Sequence, residues 1–221
     1  LAHRISKIDR TQADGTLEEF TNNHIDTRFN NLCNLACRSC GTTYSSSWHQ
    51  PAIALKMVDK STPALLTATA FDQLLENLNN IDIVYFAGGE PLINQQCYEL
   101  LEQLIKQNKT DVKLIFNTNF TQTKLRNCSI FDLWKHFKNI SVAASLDGMF
   151  ERGEYLRVGT NWNDIVENRR TMIKLLPNID FFITATTGLI NALHIPDFHR
   201  DWVEHGRSEE HTSELQSRLH L

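Results

Sequence analysis

The chain has 221 residues, is 41% hydrophobic, 9% aromatic and 22% charged, and carries a net charge of −4. That is length enough for one domain with a sizeable core, an ordinary globular balance, and no basic stripe of the kind nucleic acid requires. No apolar run reaches membrane-spanning length, no signal peptide opens the sequence, and five cysteines, three of them in one short segment, suit a reducing cytoplasm better than a disulfide framework.

Residues 1–24 read as a polar connecting segment with a turn at Asp14-Gly15 and a little helix near Leu17 to Phe20. Ile25 to Phe29 is a short strand leading into the cysteine-bearing loop. The Ser/Thr-rich run from Thr42 to Trp48 is placed to cap a helix continuing towards Met57, with Pro51 tolerated in its first turn and a break from Lys60 to Pro63. Phe71, Leu74, Leu75 and Leu78 fall on one helical face of Thr69 to Leu78. A buried strand from Ile81 to Phe86 precedes a helix from Gln95 to Gln107. The third strand runs from Val112 to Phe116 and closes in Asn117-Thr118-Asn119. A short helix over Ile130 to Phe137 leads to a fourth strand, Ile140 to Leu146, closing in Asp147-Gly148. A helix from Trp162 to Leu176, stopped by Pro177, a fifth strand from Ile179 to Thr184, and helix again over Phe198 to Val203 complete the pattern. The first residue is Leu1, so the natural start is expected upstream, and Arg207 to Ser217 reads like a translated sequencing-library adapter. Residues 207–221 are therefore set aside as an artefactual tail, leaving 25–206 as the folding unit.

Strands alternating with helices predict an α/β fold in which parallel strands are joined by right-handed crossovers. In such sheets functional groups gather at the carboxyl ends of the strands. The cysteine loop, Gly88-Gly89-Glu90, Asn117-Thr118-Asn119 and Ser145-Leu146-Asp147-Gly148 all fall at such ends.

Cys33, Cys37 and Cys40 stand in a C-x3-C-x2-C spacing. Three thiolates so close can hold an iron–sulfur cluster with one iron left open. They can also form a structural zinc site, which needs a fourth ligand. His24 or His49 would supply it, though neither sits at a usual zinc spacing. Three unliganded cysteines are the third reading, and the spacing leaves all of them open. Gly88-Gly89 can equally be a turn needing positive φ. Asn117 to Asn119 and Ser145 to Gly148 can be turns with capping groups. Cys97 and Cys128 are isolated and read as core or inert.

The cysteine motif in the loop after the first strand, followed by Gly88-Gly89-Glu90-Pro91 after the second, resembles the radical SAM enzymes from about Ile25 to His205. The resemblance implies an incomplete (β/α) barrel with helices outside, of which about five of six βα units are present here. It implies that Cys33, Cys37 and Cys40 hold a [4Fe-4S] cluster whose open iron is chelated by S-adenosylmethionine. An electron donor reduces the cluster, the cofactor is cleaved, and a 5′-deoxyadenosyl radical takes hydrogen from the substrate. Gly88, Gly89 and Glu90 are then expected at the cofactor's amino group, and Asn117, Ser145 and Arg157 along its binding wall, with Ser145 and Arg157 near the methionine carboxylate. Arg152, Thr184 and Thr186 are weaker candidates. The family usually places a bulky residue just before the last cysteine; here Ser39 stands there after Arg38, so adenine stacking is expected from Tyr44 or Trp48. The run from Arg28 to Gly41, followed by Ser45-Ser46-Ser47-Trp48, most resembles twitch-domain-containing members, for which a peptide or protein substrate is expected. A non-enzymatic metal module and an inactive fragment of such an enzyme are the other readings.

Overall fold

The computed structural model describes residues 11–16, 23–61 and 71–205. Its centre is one five-stranded sheet, β1 (His24–Thr27), β2 (Ile83–Phe86), β3 (Lys113–Thr118), β4 (Ile140–Ala144) and β5 (Asp180–Ile183), in which each strand pairs in parallel with the next in sequence. The connections carry the helices α1 (His49–Ala54), α2 (Phe71–Glu76), α3 (Gln95–Lys106), α4 (Ile130–Trp134), α5 (Phe150–Leu156) and α6 (Trp162–Leu175), and α7 (Ile195–His205) follows β5.

Register assigns the two faces. Thr27, Phe86, Phe116, Val142 and Phe181 lie across from one another on neighbouring strands. This row faces the helices: Phe86 and Phe116 stack at 4.4 Å, Phe116 meets Trp134 of α4 at 4.8 Å, and Phe181 meets Trp202 of α7 at 6.0 Å. Leu100, Leu101 and Leu104 of α3 and Ile165 and Met172 of α6 fill the same core. One residue earlier, Asp26, Tyr85, Ile115, Ser141 and Asp180 form a row on the opposite face, because side chains alternate along a strand. On that face Asp26 and Asp180 are exposed, Tyr85 and Ile115 half-buried and Ser141 buried.

The expected α/β architecture and five βα units stand, with shifted ends. β3 runs through Asn117 and Thr118, and β4 stops at Ala144. The long helix expected after Thr42 is shorter: a 3₁₀ turn at Ser46–Trp48 leads into α1, and Ser45 makes no side-chain cap. Its hydroxyl donates to the Leu35 carbonyl at 2.6 Å. α5 was not expected, because Gly153 sits in its middle and lowers helix propensity. The glycine is required there: a Cβ would lie 2.5 Å from the Gly148 carbonyl oxygen. The small helix near Leu17, the break around Pro63 and the adapter-like tail lie outside the described residues.

Phe116→Ala removes two ring contacts from the fully buried row and is expected to cost about 3–5 kcal/mol, read as a lower urea midpoint. Ile115→Ala, on the other face, should cost less than half of that. Equal losses would show that the faces are misassigned.

Candidate active site

The loop between β1 and α1 carries Cys33, Cys37 and Cys40 and has almost no regular structure, so its backbone needs outside partners. The Ser-rich segment after it supplies them. The Ser46 hydroxyl accepts from Cys33 N at 3.2 Å, Ser47 donates to the Cys33 carbonyl at 2.7 Å, and the Trp48 indole donates to the Cys37 carbonyl at 2.8 Å. Residues that look like helix caps in the sequence therefore hold the cysteine loop.

Gly88 and Gly89 lie directly beneath that loop. Gly89 N donates to the Asn30 carbonyl at 3.1 Å and Glu90 N to the Leu32 carbonyl at 2.7 Å. A Cβ on Gly89 would stand 2.1 Å from the Leu32 oxygen, and one on Gly88, whose φ is +107°, 2.9 Å from the Asn30 oxygen. The close approach these glycines permit is thus to the cysteine loop itself.

Glu90 is buried, and its carboxylate is taken up by protein donors: Thr118 Oγ1 at 2.6 Å and Leu92 N at 3.0 Å on Oε1, and Asn119 N at 2.6 Å on Oε2. Burial pushes this carboxyl up to about 7 from an ordinary 4.5, against the lowering effect of the three hydrogen bonds and of Arg157. Asn119 continues the connection. Its side-chain nitrogen reaches Asn34 Oδ1 at 3.0 Å and the Cys33 sulfur at 3.9 Å.

The candidates on β3 and β4 meet one another. Ser145 Oγ donates to Asn117 Oδ1 at 2.9 Å. Arg157 follows α5 and is held by Asp147, with Nε 2.9 Å from Oδ2 and Nη2 donating to Oδ1 at 3.0 Å. Its remaining nitrogen, Nη1, lies 3.7 Å from the Cys37 sulfur. Residues 36–37 and 157–158 form a two-residue antiparallel ribbon, pairing Cys37 with Arg157. Arg38 extends this contact: its backbone N donates to the Leu156 carbonyl, its Nε to the Tyr155 carbonyl, and its guanidinium stacks 3.9 Å above the Tyr155 ring. Burial raises the Cys33 thiol above its usual range and pushes Cys37 up to about 11, with Arg157 opposing the shift at Cys37. Both sulfurs also have nitrogen donors turned towards them: Leu35 N at 3.5 Å on Cys33, and Arg157 on Cys37. Burial thus favours the neutral thiols, and these donors act the other way, towards the thiolates.

The model of the radical SAM superfamily matches residues 27–198. The chain belongs to that family of enzymes. Its structure is similar to that of hexahistidine-tagged anSMEcpe with bound AdoMet, with a TM-score of 0.56 and 18% identity over 83% of this chain and 47% of that one. It is also similar to native anSMEcpe with bound AdoMet and Cp18Cys peptide (TM-score 0.55, 16% identity, 83% of this chain and 48% of that one). Streptococcus suis SuiB bound to precursor peptide SuiA matches with a TM-score of 0.51 and 16% identity over 79% of this chain and 36% of SuiB. At these identities the likeness is one of fold. The chain spans about half the length of anSMEcpe, and no curated protein matches it.

In this radical SAM fold, the remaining candidates are scattered. Thr184 N and Thr186 N serve as donors to Ala144 O and Asp147 Oδ1, and Arg152 donates to Ile190 O. Tyr44 is exposed, whereas the Trp48 indole is engaged with Cys37. Cys97 is buried in the core and Cys128 packs at its margin. Sequence reasoning missed Asp147 as Arg157's partner, because Asp-Gly at a strand end reads as a turn. It also missed Asn34 and Tyr155, whose contacts span 85 and 117 positions and leave no local signal.

Two expectations follow. Gly89→Ala should displace the Leu32 carbonyl and abolish metal uptake by the cysteine loop, read as iron bound per chain. The second concerns Glu90, whose folded-state pKa lies above its unfolded value, so the folded chain binds more protons between about pH 4.5 and 7. Its contribution to stability is therefore full below 4.5 and lost as pH rises towards 7. A Glu90→Gln chain should lose this slope, seen by comparing urea midpoints of variant and wild type at about pH 5 and about pH 7. An identical pH dependence in both would show that Glu90 does not titrate there.

Proposed function

We propose that this chain is the catalytic domain of a radical SAM enzyme in which Cys33, Cys37 and Cys40 hold a [4Fe-4S] cluster and S-adenosylmethionine binds beside it. The reading is carried by one observation: a three-cysteine loop seated on Gly88-Gly89 at the carboxyl end of a parallel sheet, with nitrogen donors turned onto two of the sulfurs. Zinc, the other reading of the spacing, calls for ligands that converge on one ion. His24 and His49, the residues the sequence offers as a fourth zinc ligand, stand at no usual zinc spacing from the cysteines. The cluster is preferred because the C-x3-C-x2-C spacing is followed by Gly88-Gly89-Glu90-Pro91, the ordered pair on which the family resemblance rests.

Cluster and cofactor together would supply one-electron reductive cleavage of a sulfonium, yielding the hydrogen-abstracting group. The chain's own residues bind and orient. The cysteines are spaced by the Ser45 to Trp48 hydrogen bonds. Gly88 and Gly89 keep the loop flush against β2, and Glu90 fixes the ends of β2 and β3 beneath it. Asn117, Ser145 and Arg157 form the wall assigned to the cofactor, with the Asn117–Ser145 hydrogen bond setting both side chains.

A peptide or protein substrate is part of the same proposal. It is supported by two solved structures of similar fold, native anSMEcpe with bound Cp18Cys peptide and SuiB bound to precursor peptide SuiA. The sheet face bearing Asp26, Tyr85 and Ile115 is the surface on which such a substrate would lie. Kinship with twitch-domain-containing members belongs here too, resting on the sequence from Arg28 to Gly41 and the Ser45 to Trp48 run.

The test is anaerobic reconstitution with iron and sulfide, followed by S-adenosylmethionine and a strong reductant. The expected result is a brown protein that forms 5′-deoxyadenosine, with Cys33→Ala, Cys37→Ala and Cys40→Ala each reducing the product to background. A colourless protein that retains zinc would overturn the proposal.

A further inference from the structure

Arg157 sits between Asp147 and Cys37, donating Nη2 to Asp147 Oδ1 while Nε lies in ion-pair range of Oδ2 without a hydrogen bond. Asp147 faces Nε and Nη2, and both side chains are nearly dry, at 12% and 4% exposure. The pair is neutral as a whole, which lowers the cost of burying it, but it is also a dipole. Its negative end is fixed a second time by Thr186 N, which donates to Asp147 Oδ1 at 2.8 Å. Its positive end, Nη1, is left on the Cys37 sulfur at 3.7 Å. The backbone ribbon joining Cys37 to Arg157 fixes this approach independently of the side chains.

We infer that Asp147 positions Arg157 so that its guanidinium donates to the Cys37 thiolate and raises the reduction potential of the metal centre held there. The inference rests on the cluster reading above and deepens it. A donor and a positive charge beside a ligand sulfur stabilise the more negative, reduced state, and hydrogen bonds to sulfur are an established lever on such potentials. In a nearly dry setting the charge is weakly screened. On this account Arg157 is a positioning and tuning residue acting through Cys37.

The experiment is a redox titration of the reconstituted full chain, followed by the electron paramagnetic resonance signal of the reduced cluster, without S-adenosylmethionine. Arg157→Gln should shift the midpoint to a more negative potential. Because that change strands a buried carboxylate, the double variant Arg157→Gln/Asp147→Asn is measured beside it. It should fold with a full complement of iron and shift in the same direction by less. Arg152→Gln, which removes a cation bound to Ile190 O and not to a sulfur, should leave the midpoint at the wild-type value. A double variant with a full cluster at the wild-type potential overturns the inference. So does a folded double variant that assembles no cluster, since the pair would then only hold the loop. A shift in Arg152→Gln as large as that in Arg157→Gln overturns it as well, by showing a general field effect. Wild-type chain that assembles no cluster fails at an earlier step and overturns the function reading with it.

Discussion

A carboxylate buried at the edge of a sheet is costly unless every oxygen finds a donor, and Glu90 meets that condition by joining three pieces of chain. Leu92 N comes from the turn that follows it, Thr118 Oγ1 from the last residue of β3, and Asn119 N from the loop beyond. The demand works in both directions. Glu90 needs these donors, and their positions are set because it takes them. The Thr118 hydroxyl is fixed further by accepting from Phe120 N at 2.9 Å. Two of the sheet's carboxyl ends are thereby locked at one height, directly under the cysteine loop. A shift of either strand would leave a buried oxygen or a buried N–H unpaired.

From that lock, order passes outward through short polar side chains. Asn119 carries it to Asn34, Asn34 Nδ2 donates to Thr121 Oγ1 at 2.8 Å, and Asn168 of α6 ties the same loop down through the Phe120 and Thr121 carbonyls. On the opposite side of the loop the Asp147–Arg157 pair and the Arg38–Tyr155 stack do the equivalent work. The cysteine loop has almost no secondary structure of its own, so its geometry is the sum of these outside contacts. Arg38 supplies one of them by lying across Tyr155 and donating to its carbonyl.

The legible parts of this molecule are those governed by sequence-local physics. The helix expected from Gln95 to Gln107 ends one residue earlier, at Lys106, and buries Tyr98, Leu101 and Leu104, because burial of one helical face is written in period 3.6. Gly88-Gly89 was legible as a place of close approach, but not what approaches, since that is decided by a loop far earlier in the chain. The Ser45 to Ser47 hydroxyls were read as caps, a local use. Their actual acceptors and donors are Leu35 and Cys33, which the local pattern cannot rank above the nearest helix terminus. α5 was invisible for the related reason that Gly153 answers to Gly148 across a turn and not to the helix it interrupts.

The two faces of the sheet then divide the labour. The aromatic row from Phe86 to Phe181 is closed by helices and gives the strands their stability, so the opposite row is released from that task. On that side the side chains are of mixed character: Asp26 and Asp180 at the sheet's two edges, Tyr85 and Ile115 between, and the hydrogen-bonded pair Asn117 and Ser145 nearest the carboxyl ends. Ser141 belongs to that row too, and its hydroxyl donates to Asp180 Oδ2 at 3.0 Å, so the row holds a hydrogen-bonded pair beside its apolar members.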